Sequence, residues 1–98
     1  MDTAEITPKA TIQITATVTY KGELQIFRRN TKPDFSKKMV DLVTSDNQRL
    51  YCEIRNSNIP KLERIEVDDV VLVEILFAGS EKNDKKYNNL YIINIQKK

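Results

Sequence analysis

The chain has 98 residues, of which 31% are charged and 40% hydrophobic, and its formal net charge is +2. This length and composition predict one globular domain over residues 1–98 that folds without disulfides or metals. The sequence contains no histidine and a single cysteine, Cys52, which excludes an internal disulfide, a Cys–His nucleophilic pair and the usual zinc sites.

The first predicted element is a long strand that follows a polar segment, residues 1–10, which we expect to be flexible. From Thr11 to Ile26 apolar and polar side chains alternate, as is typical of a half-buried strand. Gly22 interrupts this pattern without changing its parity, which predicts a bend of the kind found at barrel corners. The same parity places Tyr20 in the core.

Residues 28–38 follow as a predicted basic loop. They hold five basic residues against one acid, Asp34, and also an aromatic ring, Phe35. A cationic loop that carries an aromatic side chain is typical of a nucleic-acid-binding surface. Charged loops in general are more often merely solvated, so the loop alone does not decide the function.

The rest of the chain alternates again, with one break. Two strands joined by a turn at Ser45–Gln48 form a predicted hairpin. Three apolar residues spaced three apart then predict a short helix that plugs the core. Phe77 has the parity of the core in the strand after the helix. The predicted elements are strands over 38–44 and 49–55, a helix over 56–65, a strand over 67–77, a polar loop over 78–86 and a strand over 90–95.

Three strands, a short helix and two more strands predict an all-β protein. This order is that of the five-stranded Greek-key barrel called the OB-fold, which carries one short helix between strands three and four. In OB-folds the outer face of strands two and three and the loops after strands one and four form the binding surface. Here those loops are 28–38 and 78–86, and we expect both at the same rim of the barrel.

Cations that hold phosphates and rings that stack on bases are what single-stranded nucleic acid requires of a protein. Tyr51 lies between Arg49 and Arg55 on the outward parity of its strand, although an exposed strand tyrosine without a binding role is equally compatible. For Phe27, an oligomer contact is the main competing role. The candidate nucleic-acid-binding residues are Phe27, Arg28, Arg29, Lys32, Phe35, Lys37, Lys38, Arg49, Tyr51, Arg55, Lys85, Lys86 and Tyr87.

Three loose patterns spread over most of the chain are shared with a known family. They are GELQIF before the basic loop, IEVDDVVLVEI after the helix, and AGSEKNDKKYNNLYIINI at the last hairpin. With them the sequence resembles the small single-domain OB-fold proteins that bind single-stranded DNA in phages and some bacteria.

The sequence departs from that family's pattern in two places. Asp68 stands where the family typically has glycine. Because the sequence ends in two lysines, we also expect no acidic, phenylalanine-ended tail like that of the major bacterial single-strand-binding proteins. The resemblance therefore implies a tail-less phage-type protein or a primosomal replication-restart protein, and puts tail-mediated recruitment of other enzymes in doubt.

The expected function is largely sequence-independent binding of single-stranded DNA in replication, recombination or repair, with RNA left open as a ligand. Outward apolar residues on the strands suggest a homo-oligomer. The alternative is an accessory or protein-interaction subunit without strong nucleic-acid binding of its own. We expect no enzyme activity and no cofactor, because no phosphate-binding glycine loop is present.

Three further features of the sequence concern localisation, Cys52 and metal binding. The N-terminus has no apolar segment typical of a signal peptide, and no apolar run is long enough to cross a membrane, so we expect a cytoplasmic protein without membrane contact. Cys52 shares parity with Leu50 and Ile54, which favours a small buried hydrophobe over a reactive thiol. The adjacent acids Asp68 and Asp69 favour a turn over a metal site.

Overall fold

The computed structural model describes residues 10–98, and these form one six-stranded sheet that closes on itself beside a short helix. The segment predicted to be flexible, residues 1–10, falls outside the described residues except for Ala10. The elements are β1 (Thr11–Lys21), β2 (Gln25–Phe27), β3 (Phe35–Val43), β4 (Arg49–Arg55), a 3₁₀ helix (Asn56–Leu62), β5 (Val70–Lys82) and β6 (Lys85–Lys97).

The sheet closes into a barrel because β1 pairs with β5 at one edge and with β3 at the other. The strand order is β1-β5-β6-β4-β3-β2, and every pair is antiparallel except the short parallel contact of β4 with β6. With β1 and β2 taken as one broken strand, this is the predicted five-stranded OB-fold barrel. Among residues 10–98, no helix has the length and apolar character that crossing a membrane requires.

Gly22 lies at the break between β1 and β2, as predicted. Its amide donates a hydrogen bond to the Met39 carbonyl oxygen at 2.8 Å. A Cβ atom at this position would stand 3.2 Å from the same oxygen, which is tighter than a side chain normally allows. The absence of a side chain at Gly22 therefore lets the first strand bend closely against β3.

The core follows the predicted alternation of the central strands. Val40 and Leu42 of β3 and Cys52 and Ile54 of β4 are at most 1% exposed. Burial, and secondarily the negative charge of Asp41, raise the pKa of the Cys52 thiol to about 12, so Cys52 is the inert buried hydrophobe that the sequence predicts.

The helix after β4 is shorter and tighter than predicted. It is a 3₁₀ helix that ends at Leu62 and contains Pro60, whereas the sequence predicts a helix to residue 65. Proline lacks the amide needed to continue regular helical bonding, which favours a short helix here. Leu62 and the following Ile65 are each 2% exposed, so this segment fills the core as expected.

Asp68 and Asp69 form the predicted turn before β5. Asp68 has a φ of 79°, the left-handed conformation that glycine adopts freely and aspartate tolerates better than most residues. Asp68 therefore takes the conformation that a glycine would supply at this position. The Asp69 carboxylate accepts a hydrogen bond from the Glu66 amide at 2.8 Å; this bond, and secondarily Lys97, lower the pKa of Asp69.

Candidate nucleic-acid interface

Outward-facing side chains of β2, β3, β4 and β6 form a continuous surface, here called the outer face. Its members alternate with the buried core residues of the same strands. The pairing places Phe27 opposite Phe35 and Glu53 beside Tyr91. The outer face consists of Phe27, Phe35, Lys37, Met39, Asp41, Val43, Arg49, Tyr51, Glu53, Arg55 and Tyr91.

At one end of the outer face, three rings and one guanidinium group form a row that crosses four strands. The rings of Phe27 and Phe35 are stacked, with centroids 4.8 Å apart and planes 13° from parallel. The guanidinium carbon of Arg55 lies 5.0 Å from the Phe35 centroid and 4.7 Å from the Tyr91 centroid. We call this arrangement, Phe27–Phe35–Arg55–Tyr91, the ring row.

Two tyrosines form a second aromatic group on the same surface. Tyr51 is 62% exposed, as its outward parity predicts, and lies opposite Asp41. Asp41 in turn lies opposite Tyr20, which is 51% exposed. Two rings able to take part in stacking thus flank one carboxylate.

The prediction that Tyr20 faces the core is wrong. The β1–β3 register shifts between Val18 and Tyr20, so Thr19 is the extra residue of a β-bulge. A bulge reverses the parity of the residues that follow it in the same strand, here Tyr20 and Lys21. Lys21 consequently takes the inward parity, and its Nζ donates to the Ile65 carbonyl oxygen at 2.6 Å.

The basic loop is shorter than predicted and is held by internal contacts. Residues 35–38 belong to β3, because Phe35 pairs with Phe27. In the remaining loop Arg28 forms an ion pair with Asp34 at 3.0 Å. Arg29 donates two hydrogen bonds to the Pro33 carbonyl oxygen, at 2.9 and 2.6 Å.

The predicted cations differ in how far their charges are already compensated. Lys37 and Arg55 both contact the carboxylate of Glu53, at 3.7 and 2.9 Å. Arg29, by contrast, directs its guanidinium group to a carbonyl oxygen and to the Phe35 ring, 4.9 Å from its centroid. Among the contacts of residues 10–98, Arg29 therefore keeps a positive charge that no side-chain carboxylate neutralises, next to the ring row.

Three other predicted cations differ in where they lie relative to the outer face. Arg49 is exposed on the outer face opposite Val43, and Lys32 is exposed in the basic loop. Lys38 lies opposite Ile54 and has the parity of the core, so the strand directs it away from the outer face.

The prediction of a polar loop over residues 78–86 is wrong. β5 and β6 continue as a hairpin to a two-residue turn, Asn83–Asp84, whose φ angles are 54° and 66°. Asparagine and aspartate adopt these angles readily, which makes them typical of the tight turns that connect hairpin strands. By alternation Lys85 and Tyr87 lie on the side of the hairpin that carries Tyr91, and Lys86 lies on the other.

Phe77, at the base of this hairpin, is 47% exposed, so its predicted place in the core is wrong. The register of β1 with β5 ends at Thr11 opposite Leu76, and the Phe77 amide donates a hydrogen bond to the Ala10 carbonyl oxygen at 2.8 Å. Phe77 thus lies at the end of this pairing among residues 10–98, and its ring is only partly covered even though its parity is that of the core.

The basic loop and the β5–β6 hairpin, here called the two arms, do not lie at the same rim of the barrel as predicted. The basic loop adjoins the end of β4, since Lys37 pairs with Arg55. β6 runs parallel to β4 with Tyr91 beside Glu53, so the residues before Tyr91 extend past the start of β4. The basic loop and the β5–β6 hairpin therefore flank the outer face from opposite ends, with Tyr51 exposed on the strand between them.

The sequence-based site omits three residues that the fold brings into it: Tyr20, Glu53 and Tyr91. In the sequence, Tyr91 has the outward parity relative to Ile92, which is compatible with exposure to solvent or to a partner subunit. The bulge that turns Tyr20 outward has no comparable signal. Glu53 was visible as an outward residue, but its two cationic partners depend on the strand pairing.

Solved structures similar to this chain share its fold at low sequence identity. Rim1, a mitochondrial single-stranded DNA-binding protein from S. cerevisiae, is 14% identical with a TM-score of 0.63, covering 92% of this chain and 96% of its own. The second OB-fold domain of replication protein A from Methanococcus maripaludis is 14% identical with a TM-score of 0.64, covering 99% and 92%. The dimeric N-terminal domain of PriB from Thermoanaerobacter tencongensis is 16% identical with a TM-score of 0.50, covering 89% and 93%.

No protein-family model matches the sequence, and no curated protein sequence matches it. At these identities the structural similarities establish the fold alone. Together with the strand order, the closing β1–β3 pairing and the helix between β4 and β5, they identify the chain as an OB-fold barrel.

Proposed function

We propose that this protein binds single-stranded DNA largely without sequence preference, through the outer face and the two arms beside it. The observation that carries the proposal is the outer face itself, where the ring row and the exposed Tyr51 adjoin the uncompensated charge of Arg29. The fold supports it, because the similar structures from S. cerevisiae and M. maripaludis are a single-stranded DNA-binding protein and a replication protein A domain. A role in replication, recombination or repair follows from this activity.

The proposed binding combines stacking with phosphate contacts. Every base has an aromatic face, so rings such as Tyr51 and Phe35 accept bases without regard to sequence. Phosphates would contact Arg29 and Lys32 of the basic loop, Arg49 of β4, and Lys85 of the hairpin. Binding of this kind requires neither a cofactor nor catalysis.

Salt dependence is the first test of this proposal. Roughly 4–6 phosphate contacts predict a slope of log K against log salt of about −3 to −4, from about −0.7 per contact on single strands. The measurement is a titration of labelled oligo-dT at several salt concentrations, beside oligo-rU and a duplex of the same length. Tight, salt-sensitive binding of oligo-dT with weaker binding of duplex supports the proposal, and comparison with oligo-rU decides the preference between DNA and RNA.

An accessory subunit of a replication assembly is the second candidate. Outward apolar residues such as Val70, which is 47% exposed, offer a surface for a protein partner or a second copy of this chain. The dimeric PriB domain from T. tencongensis has the same fold. Absence of oligo-dT binding even at low salt would favour this candidate and overturn the first.

A further inference from the structure

We propose that Glu53 is an internal competitor of the DNA backbone: Lys37 and Arg55 exchange this carboxylate for phosphates when DNA binds. The inference rests on the proposed function and adds a residue that sets its affinity. It starts from one juxtaposition on the outer face. The Glu53 carboxylate contacts Lys37 Nζ of the neighbouring strand at 3.7 Å and Arg55 Nε of its own strand at 2.9 Å.

The three side chains are placed so that an exchange is feasible. Their exposed fractions are 16% for Glu53, 22% for Lys37 and 38% for Arg55. The cations are therefore more accessible than the carboxylate between them, and a phosphate arriving from solvent reaches them first. In the exchange, phosphates replace Glu53 as the partner of both cations, and the Glu53 side chain, at 16% exposed, keeps access to water.

Both cations also have a second partner that remains when Glu53 is replaced. Lys37 Nζ lies 5.3 Å from the centroid of the Phe27 ring. The Arg55 guanidinium carbon lies 5.0 Å from the Phe35 centroid and 4.7 Å from that of Tyr91. The rings thus keep the two cations on the outer face, and any movement of Arg55 toward a phosphate also uncovers ring surface for a base.

Glu53 works against the phosphate in two ways. Its negative charge repels the backbone directly, and it occupies two of the cations that the backbone would use. Phosphate contacts of Lys37 and Arg55 contribute to affinity and salt dependence, because each phosphate contact releases counterions from the nucleic acid. The structure accordingly assigns Glu53 a tuning role, in which its charge keeps binding weaker and more rapidly reversible than the cations alone would allow.

The test is Glu53→Gln, which removes the charge and keeps an oxygen that can accept a hydrogen bond from Arg55. We expect oligo-dT to bind about 3- to 5-fold more tightly at about 50 mM salt. The salt slope should stay close to that of wild type, because Lys37 and Arg55 contact phosphates in both bound proteins. Glu63→Gln is the matched control, because it removes the same charge from the exposed turn after the 3₁₀ helix and should leave the affinity unchanged.

A second measurement uses the wild-type protein and does not depend on how the variant folds. The Arg55 Nε–H resonance, observed by NMR in ¹⁵N-labelled protein, should shift when oligo-dT saturates the site, because its acceptor changes. Lys37→Met should then weaken binding more in the Glu53→Gln background than in wild type, since Glu53 no longer holds the lysine.

The outcomes separate this inference from the proposed function. If wild type binds oligo-dT but Glu53→Gln binds no more tightly and the Arg55 resonance stays in place, Glu53 only positions Arg55 and the inference is wrong. If the wild-type protein binds no oligo-dT at any salt concentration, the proposed function fails and this inference fails with it.

Discussion

Replacing Phe35 and Tyr51 together by alanine is expected to weaken oligo-dT binding by about 2 kcal/mol or more, which is roughly 30-fold. Each aromatic ring that stacks on a base contributes ~1–3 kcal/mol. Phe35 lies in the ring row and Tyr51 is 62% exposed on the same outer face, so the double variant removes a ring from both aromatic groups. The measurement is the dissociation constant from fluorescence anisotropy at fixed salt.

Phe77→Ala provides the control for this experiment. Phe77 is also an exposed ring, at 47%, but it has the parity of the core and projects at the open end of the barrel, away from the outer face. Its removal should leave oligo-dT binding close to wild type. Equal losses in Phe77→Ala and in the double variant would show that the rings of the outer face have no special role.

The largest effect on stability is expected from Ile54→Ala. Ile54 lies on β4 three residues after Tyr51, on the opposite face of the strand, and is 0% exposed. Truncating a buried isoleucine to alanine costs about 2–5 kcal/mol, through lost burial and the cavity that remains. Urea unfolding monitored by circular dichroism should show this loss as a lower midpoint with an unchanged slope.

Tyr51→Ala supplies the comparison on the same strand. A substitution at an exposed position away from special structural features usually changes stability by less than about 0.5 kcal/mol. We therefore expect Tyr51→Ala to reduce oligo-dT affinity with little change in the urea midpoint of unfolding. Ile54→Ala should instead lower that midpoint. A large destabilisation by Tyr51→Ala would contradict the assignment of the two faces of β4.

The central strands could be predicted from the sequence because their alternation is local and uninterrupted. Val40, Leu42, Cys52 and Ile54 all face the core as their parity indicates. The bend at Gly22 was predictable for a similar reason, since a glycine in a continuing pattern is a local signal. The order of three strands, a short helix and two strands was then enough to predict the barrel.

The failures at Tyr20 and Phe77 have a common physical cause, because pairing between distant strands decides both. The bulge at Thr19 turns Tyr20 outward only because β1 must pair with β3 as well as with β5. Phe77 is 47% exposed at the end of the β1–β5 pairing among residues 10–98, a position that its own parity does not reveal. The polar composition of residues 78–86 concealed a hairpin whose turn residues, Asn83 and Asp84, were a usable signal.

The candidate site was predictable as a set of residue types rather than as an arrangement. Phe35 and Tyr51 could be chosen from the sequence, since rings beside cations are what nucleic acid requires. The ring row could not, because the contact of Arg55 with Tyr91 depends on the parallel pairing of β4 with β6. The sharing of Glu53 by Lys37 and Arg55 likewise appears only once β3 and β4 are in register.

The most direct test of the outer face as the binding surface is NMR detection of contacts between ring protons and the bases of bound oligo-dT. We predict nuclear Overhauser effects from the rings of Phe35, Tyr51 and Tyr91 to thymine methyl or H6 protons, and none from Phe77. Contacts from Phe77 to the bases, without any from the rings of the outer face, would place the DNA elsewhere and contradict binding at the outer face.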